Sequence, residues 1–110
     1  MAVNLGYYTL SVRDLDRAAA FYTALFGWEL LREHDTYLHA GNTAVPTGLT
    51  VGEPSVLPNL YYQVDDLDAA VELVGKLGGR AGEIQESKTG RFAVVHDDQE
   101  TCFSLWQSAA

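Results

Sequence analysis

The chain has 110 residues, 15 of them acidic and 7 basic, for a formal charge of −8 with histidine neutral. That charge argues against a nucleic-acid partner or an anionic membrane surface, since both need a basic face. An apolar share of 47% with 20% charged residues fits one small globular domain and not a disordered chain.

No apolar run approaches the ~20 residues of a membrane span, and the first residues lack the basic-then-apolar plan of a signal peptide. Cys102 stands alone, which excludes an intrachain disulfide and a thiolate metal cage. These features lead us to expect a cytoplasmic protein. Its small size favours a homodimer, which would bury more apolar surface.

The chain echoes itself. SVRDLD at 11–16 returns as QVDDLD at 63–68. The same offset matches Val12 with Val64, Asp14 with Asp66, Leu15 with Leu67 and Asp16 with Asp68. It continues through Ala18 and Ala70, Leu25 and Leu77, and Gly27 and Gly79. An echo that holds register through a helix and its stop signal points to a duplicated half-domain. We expect one domain over 1–110, with repeat one at about 5–52 and repeat two at about 58–107.

Each copy opens on a predicted strand rich in aromatic and β-branched residues, Tyr7–Val12 and Leu60–Val64. Asp14 and Asp66 then stand where helix N-caps belong. Leu15, Ala18, Ala19, Tyr22, Leu25 and Phe26 form one helical stripe, which Leu67, Ala70, Val71, Val74 and Leu77 repeat. Gly27 and the Gly78-Gly79 pair are predicted helix stops.

Three more strands are predicted in each copy. They lie near Trp28–Glu33, Thr36–Ala40 and Thr47–Val51, then near Ala81–Ser87, Arg91–His96 and Thr101–Gln107. The segment GEPSVLP at 52–58 reads as the connector. Gly41-Asn42 and Asp97–Glu100 read as turns. The expected fold class is α+β, with two βαβββ repeats forming a curled, cleft-enclosing mixed β-sheet and the helices outside.

FYTALFGWE after the DLD cap, the second-helix GG and the closing GRFAVVHDDQETCFSLWQ together resemble the glyoxalase/bleomycin-resistance/extradiol-dioxygenase (vicinal oxygen chelate) superfamily, in its short glyoxalase-like form. The resemblance covers nearly the whole chain and implies the same fold. Metal-dependent members take ligands from the first and last strands of each copy. The matching positions here are Tyr7, Asn59, Ser104 and, more loosely, Gly48 or Thr50. None is a histidine or a carboxylate, so no metal and no other cofactor is expected.

Strand alternation then nominates a ligand surface. Tyr7, Thr9 and Ser11 share one side of their strand, with Tyr8, Leu10 and Val12 on the other. The same rule groups Asn59, Tyr61 and Gln63, and also Cys102, Ser104 and Trp106. The candidate ligand-binding residues are Tyr7, Thr9, Tyr61, Gln63, Ser104 and Trp106. Arg91 joins them as an anion clamp or the partner of a surface carboxylate, Trp28 as a ring at the sheet edge, and His39 by its parity with Tyr37.

His34 and His96 read as turn residues, and Glu29, Glu33, Glu83 and Glu86 as solvated charges. Cys102 on a strand lacks the helix-terminus activation of a reactive thiol. There is no G-x-S-x-G elbow and no phosphate loop. The expected function is metal-free binding of a small organic compound, aromatic or cationic, by a protein that sequesters or carries it. The alternative is a lyase- or isomerase-type enzyme using acid–base residues or an unplaced divalent metal. A third reading is a half-sized relative of longer two-domain proteins that works through subunit association.

Overall fold

Two aspartates start the two helices. Asp14 accepts a hydrogen bond from the Arg17 amide at 3.1 Å, and Asp66 accepts one from the Ala69 amide at 3.1 Å. Both caps have extended backbone, as the N-cap geometry requires. They were located in a computed structural model that describes residues 2–54 and 58–109. Residues 55–57 of the predicted connector lie outside the described residues.

The elements run β1 (Asn4–Val12), α1 (Leu15–Phe26), β2 (Leu30–His34), β3 (Tyr37–Ala40), β4 (Thr47–Val51), β5 (Asn59–Gln63), α2 (Leu67–Lys76), β6 (Arg80–Ala81), β7 (Gln85–Ser87), β8 (Gly90–His96) and β9 (Cys102–Ser108). The class is α+β. Proximity divides the chain into two units. One runs from Tyr7 to Asn59. The other joins the residues before Tyr7 to those from Leu60 onward.

In the first unit the strand order is β2-β3-β4-β1. β1 runs parallel to β4, and the remaining pairs are antiparallel. One side of this sheet lies under α1, where Leu15, Ala18, Leu38 and Leu49 form a buried cluster with Leu10 and Val12 packed against it. Gly27 ends α1 with φ +70, and its amide donates to Thr23 O. Only glycine takes that backbone without a Cβ penalty.

The second unit repeats the plan. Its order is β5-β9-β8-β6, with β7 also paired to β8. β5 runs parallel to β9, and β8 runs antiparallel to it. α2 covers Leu67, Ala93, Val95 and Leu105, joined by Tyr62, Val64 and Phe103. Here the helix stops at Lys76, and of the two glycines only Gly78 takes positive φ, +93.

One predicted strand is divided. Ala81–Ser87 splits into β6 and β7: Ala81 stands opposite Val95 and Gln85 opposite Phe92, so the chain carries one extra residue against β8 between them. A glycine inside a strand pattern marks such an irregularity. Among the described residues, no helix is long and apolar enough to cross a membrane.

Candidate functional site

Register shows which side chains meet. In the first unit Thr9 of β1 stands opposite Gly48 of β4, and Gly48 stands opposite His39 of β3. Ser11 and Tyr37 both stand opposite Thr50. Side chains paired across strands share a face. Tyr7, Thr9, Ser11, Tyr37, His39 and Thr50 therefore line the side of this sheet turned away from α1.

Asn59 joins that group. Its amide nitrogen donates to Thr9 Oγ1 at 3.0 Å and to Ser11 Oγ at 3.2 Å. Thr9 is 5% exposed, so the amide satisfies a hydroxyl that water barely reaches. The strands β1, β3 and β4 place no carboxylate on this face, in a chain with 15 acidic residues. His34 stacks on Tyr37 with ring centroids 5.6 Å apart, and its Nδ1 lies 3.1 Å from Thr36 Oγ1.

In the second unit Tyr61 pairs with Ser104, and Gln63 with Trp106. Across β8 the same rows continue to Val94 and Phe92. Tyr61 meets Phe92 edge to face at 5.8 Å. Gly6 lies against this group: a Cβ there would come within 2.9 Å of Trp106 Cε3. Tyr61, Gln63, Ser104 and Trp106 thus share one face of their own unit, turned away from α2. His96 and Cys102 share it further along, and Cys102 is exposed.

Two candidates lie on the helix side instead. Trp28 packs in the α1 cluster, stacked on Tyr22 at 5.4 Å and close to Phe26 at 5.0 Å. It is part of the packing that anchors the helix. Arg91 stands opposite Gln107, one residue out of phase with Ser104 and Trp106. Its guanidinium grips Asp68 of α2 with two contacts, at 3.1 and 3.2 Å. Hydrogen bonding and attraction to Arg91 hold the Asp68 carboxyl below the usual carboxylate range, and Asp68 in turn raises Arg91. Arg91 borders a cleft of about 240 Å³ with Glu86, Ser87, Gln107 and Ser108. Its charge is already balanced there by Asp68.

Tyr37 escaped the list of predicted candidates. What singles it out is its contact with Gly48, which follows from the β3–β4 register and not from the local sequence.

The positions that the resemblance assigns to metal ligands do not fit a divalent ion. Tyr7 offers a phenol and Ser104 a hydroxyl that is 8% exposed. Asn59 turns its nitrogen, a donor, toward Thr9 and Ser11. Gly48 offers nothing. A divalent ion needs anionic or imidazole donors to compete with water. Among the described residues, no three His, Cys, Asp or Glu side chains gather to hold a metal ion.

The family model described as "Glyoxalase/Bleomycin resistance protein/Dioxygenase superfamily" matches residues 4–97. The Mycobacterium tuberculosis protein named "Putative glyoxylase CFP32" is 29% identical over 116 residues. That alignment takes in 90% of this chain and 43% of the relative, so the chain spans less than half the length of the curated relatives it matches. Among solved structures, methylmalonyl-CoA epimerase from Mycobacterium tuberculosis superposes with a TM-score of 0.74 at 22% identity, over 97% of this chain and 89% of that one. The hypothetical protein BH1468 from Bacillus halodurans C-125 gives 0.81 at 11% identity, over 100% and 97%. At these identities the likeness is one of fold.

Proposed function

The chain belongs to the glyoxalase/bleomycin resistance protein/dioxygenase superfamily, and from that premise we propose that it is a metal-free binder of a small organic molecule. The observation that carries this reading is the Asn59 amide engaged by Thr9 and Ser11. It occupies a position that the resemblance gives to a metal ligand, and it builds a face of hydroxyls, phenols and an amide. Such a face holds an organic molecule by stacking and a few directed hydrogen bonds. The face of Tyr61, Gln63, Ser104 and Trp106 has the same chemistry. We place the protein in the cytoplasm as a homodimer and read the chain as one duplicated domain.

The test uses tag-free protein. Elemental analysis should find no stoichiometric zinc, nickel, manganese or iron. A thermal-shift screen of small aromatic compounds should give hits that a chelator does not abolish. Stoichiometric metal, or hits that vanish with chelator, would overturn the reading.

A second reading is supported by the place of His39, an imidazole on the same face as Tyr37 and Thr9. Several fold neighbours are epimerases. On this reading the chain is an isomerase-type enzyme that moves a proton with imidazole and phenol groups. Turnover of a bound hit that is lost on Tyr7→Phe or Tyr61→Phe would favour it over simple binding.

A further inference from the structure

The two helices occupy equivalent places in the two repeats, and their outer faces differ. α2 carries Glu72 and Lys76, paired at 3.4 Å, beside its exposed Leu73 and Leu77. The repeat offset puts Ala20 and Ala24 of α1 at the positions of that ion pair, with Phe21 and Leu25 in place of the two leucines. Residues 18–26 carry no charge at all, in a chain with 15 acidic and 7 basic residues. Yet Phe21 and Leu25 are each 59% exposed, Phe26 is 54% exposed, and Ala20 and Ala24 are exposed beside them. A helix that is apolar on both its inner and its outer side is built to have neighbours on both. The inner neighbour is its own sheet.

Area bounds the outer one. At roughly 200 Å² for a fully exposed aromatic side chain, Phe21, Leu25 and Phe26 leave about 300 Å² of apolar surface. Patches of that size on one chain mark contact surfaces. A tight dimer buries about 800 Å² per partner, so this patch supports a reversible association and not an obligate one.

Charge selects the occupant. Asp16, the one acid of α1, is engaged by Arg32 at 3.2 Å. Arg17 remains, exposed and one turn before Phe21. An anionic membrane would need a basic rim, and a single arginine does not make one. Two chains of −8 repel each other least where neither presents an unbalanced carboxylate, and the outer face of α1 is such a place. Antiparallel packing centred on Phe21 also uses Arg17. It then meets the last turn of the other copy's α1, whose carbonyl end has no basic residue of its own.

We propose that the outer face of α1, formed by Ala20, Phe21, Ala24 and Leu25, pairs with the same face of a second copy, antiparallel and about a two-fold axis at Phe21. Such an interface is isologous, so one uncharged patch supplies both sides. The proposal rests on reading the chain as a homodimer and assigns that dimer its surface.

The experiment is sedimentation equilibrium of the whole chain from about 1 μM to about 500 μM at physiological ionic strength. Wild type should dimerise reversibly within that range. Phe21→Glu and Phe21→Lys put like charges on the axis, and each alone should weaken association at least about tenfold. An equal mixture of the two should recover to within about threefold of wild type. The double variant Ala20→Glu, Ala24→Lys gives α1 the ion pair that α2 already carries at exposed positions, and it should weaken association likewise. Far-ultraviolet circular dichroism confirms that each variant is folded.

Dimerisation of the double variant or of either single variant as tight as that of wild type would overturn the α1 face and leave the homodimer standing. Weakening in both single variants without recovery in their mixture would overturn the two-fold pairing and give the face to a different partner. Wild type that stays monomeric throughout would remove the homodimer itself, and the proposal with it.

Discussion

Asn59 holds Thr9. The amide nitrogen at the start of β5 lies 3.0 Å from the Thr9 hydroxyl of β1, and the same nitrogen reaches Ser11 at 3.2 Å. Two hydroxyls two residues apart on one strand are thereby fixed by a single donor. Directed recognition of an organic molecule requires polar groups held in place in this way.

Removing that donor should be measurable. Asn59→Leu leaves a nearly buried Thr9 hydroxyl without its partner and is expected to cost about 1–3 kcal/mol of stability in urea denaturation. Asn59→Asp keeps the shape and can accept from both hydroxyls once they rotate to donate. It should cost less than Leu at neutral pH. Equal losses for the two substitutions would mean that packing, and not hydrogen bonding, holds the side chain.

Acid should weaken the fold in a stated direction. Hydrogen bonding and attraction to Arg91 lower Asp68, the Thr101 and Gln99 amides lower Asp97, and Arg80 lowers Glu100. A carboxyl whose folded value lies below its unfolded value of about 4 binds fewer protons when folded. Its stabilisation is complete above the unfolded value and disappears as pH falls through the folded one. Urea midpoints should hold near neutral pH and drop below about pH 4. Asp97→Asn should flatten that drop, since its carboxylate accepts two turn amides at 2.8 and 3.0 Å. A midpoint independent of pH across this range would contradict the ledger of lowered groups.

Much of this architecture can be read in the residues. The DLD caps, the helical stripes and the Gly27 stop are local signals, and local hydrogen bonding enforces them. Alternation placed Leu10 and Val12 under α1, because a strand two residues per repeat has no other choice once one side is covered. Trp28 was harder. It sits between α1 and β2, where no strand alternation applies, and ring stacking with Tyr22 decided its side. Arg91 needed the register of β8 on β9, and its partner Asp68 lies on another element. Tyr37 over Gly48 depends on pairing between β3 and β4, which no local window contains.

Gly48 and Tyr37 should be energetically coupled. Gly48→Ala forces the phenol out of its place and is expected to cost about 1–3 kcal/mol. In a Tyr37→Leu background the same change should cost less, with a coupling energy of at least about 0.5 kcal/mol in a double-mutant cycle. Strict additivity would show that the backbone at position 48 resists a Cβ for some other reason.

Core burial separates the two faces of α2. Leu67 is fully buried, whereas Leu73 is 52% exposed. Leu67→Ala should cost about 2–5 kcal/mol, because the cavity it leaves cannot be filled by neighbours already in contact. Leu73→Ala should stay within about 0.5 kcal/mol. A large loss at Leu73 in dilute monomeric protein would mean that its side chain is covered in solution.

Gly6 offers a spectroscopic test of the second unit. A Cβ at this position would stand 2.9 Å from Trp106 Cε3 and 3.1 Å from Gln63 Cβ. The first neighbour is an indole ring on a side chain and can turn. The second is attached directly to the β5 backbone and cannot move without it. Gly6→Ala should therefore displace the Trp106 ring before it disturbs the strand, changing near-ultraviolet circular dichroism while leaving the far-ultraviolet spectrum intact. Tyr61 meets Phe92, whose row neighbour is Trp106, so a compound bound on that face should lose affinity in the same variant. Unchanged tryptophan signals together with unchanged ligand affinity would place Trp106 outside the recognition surface.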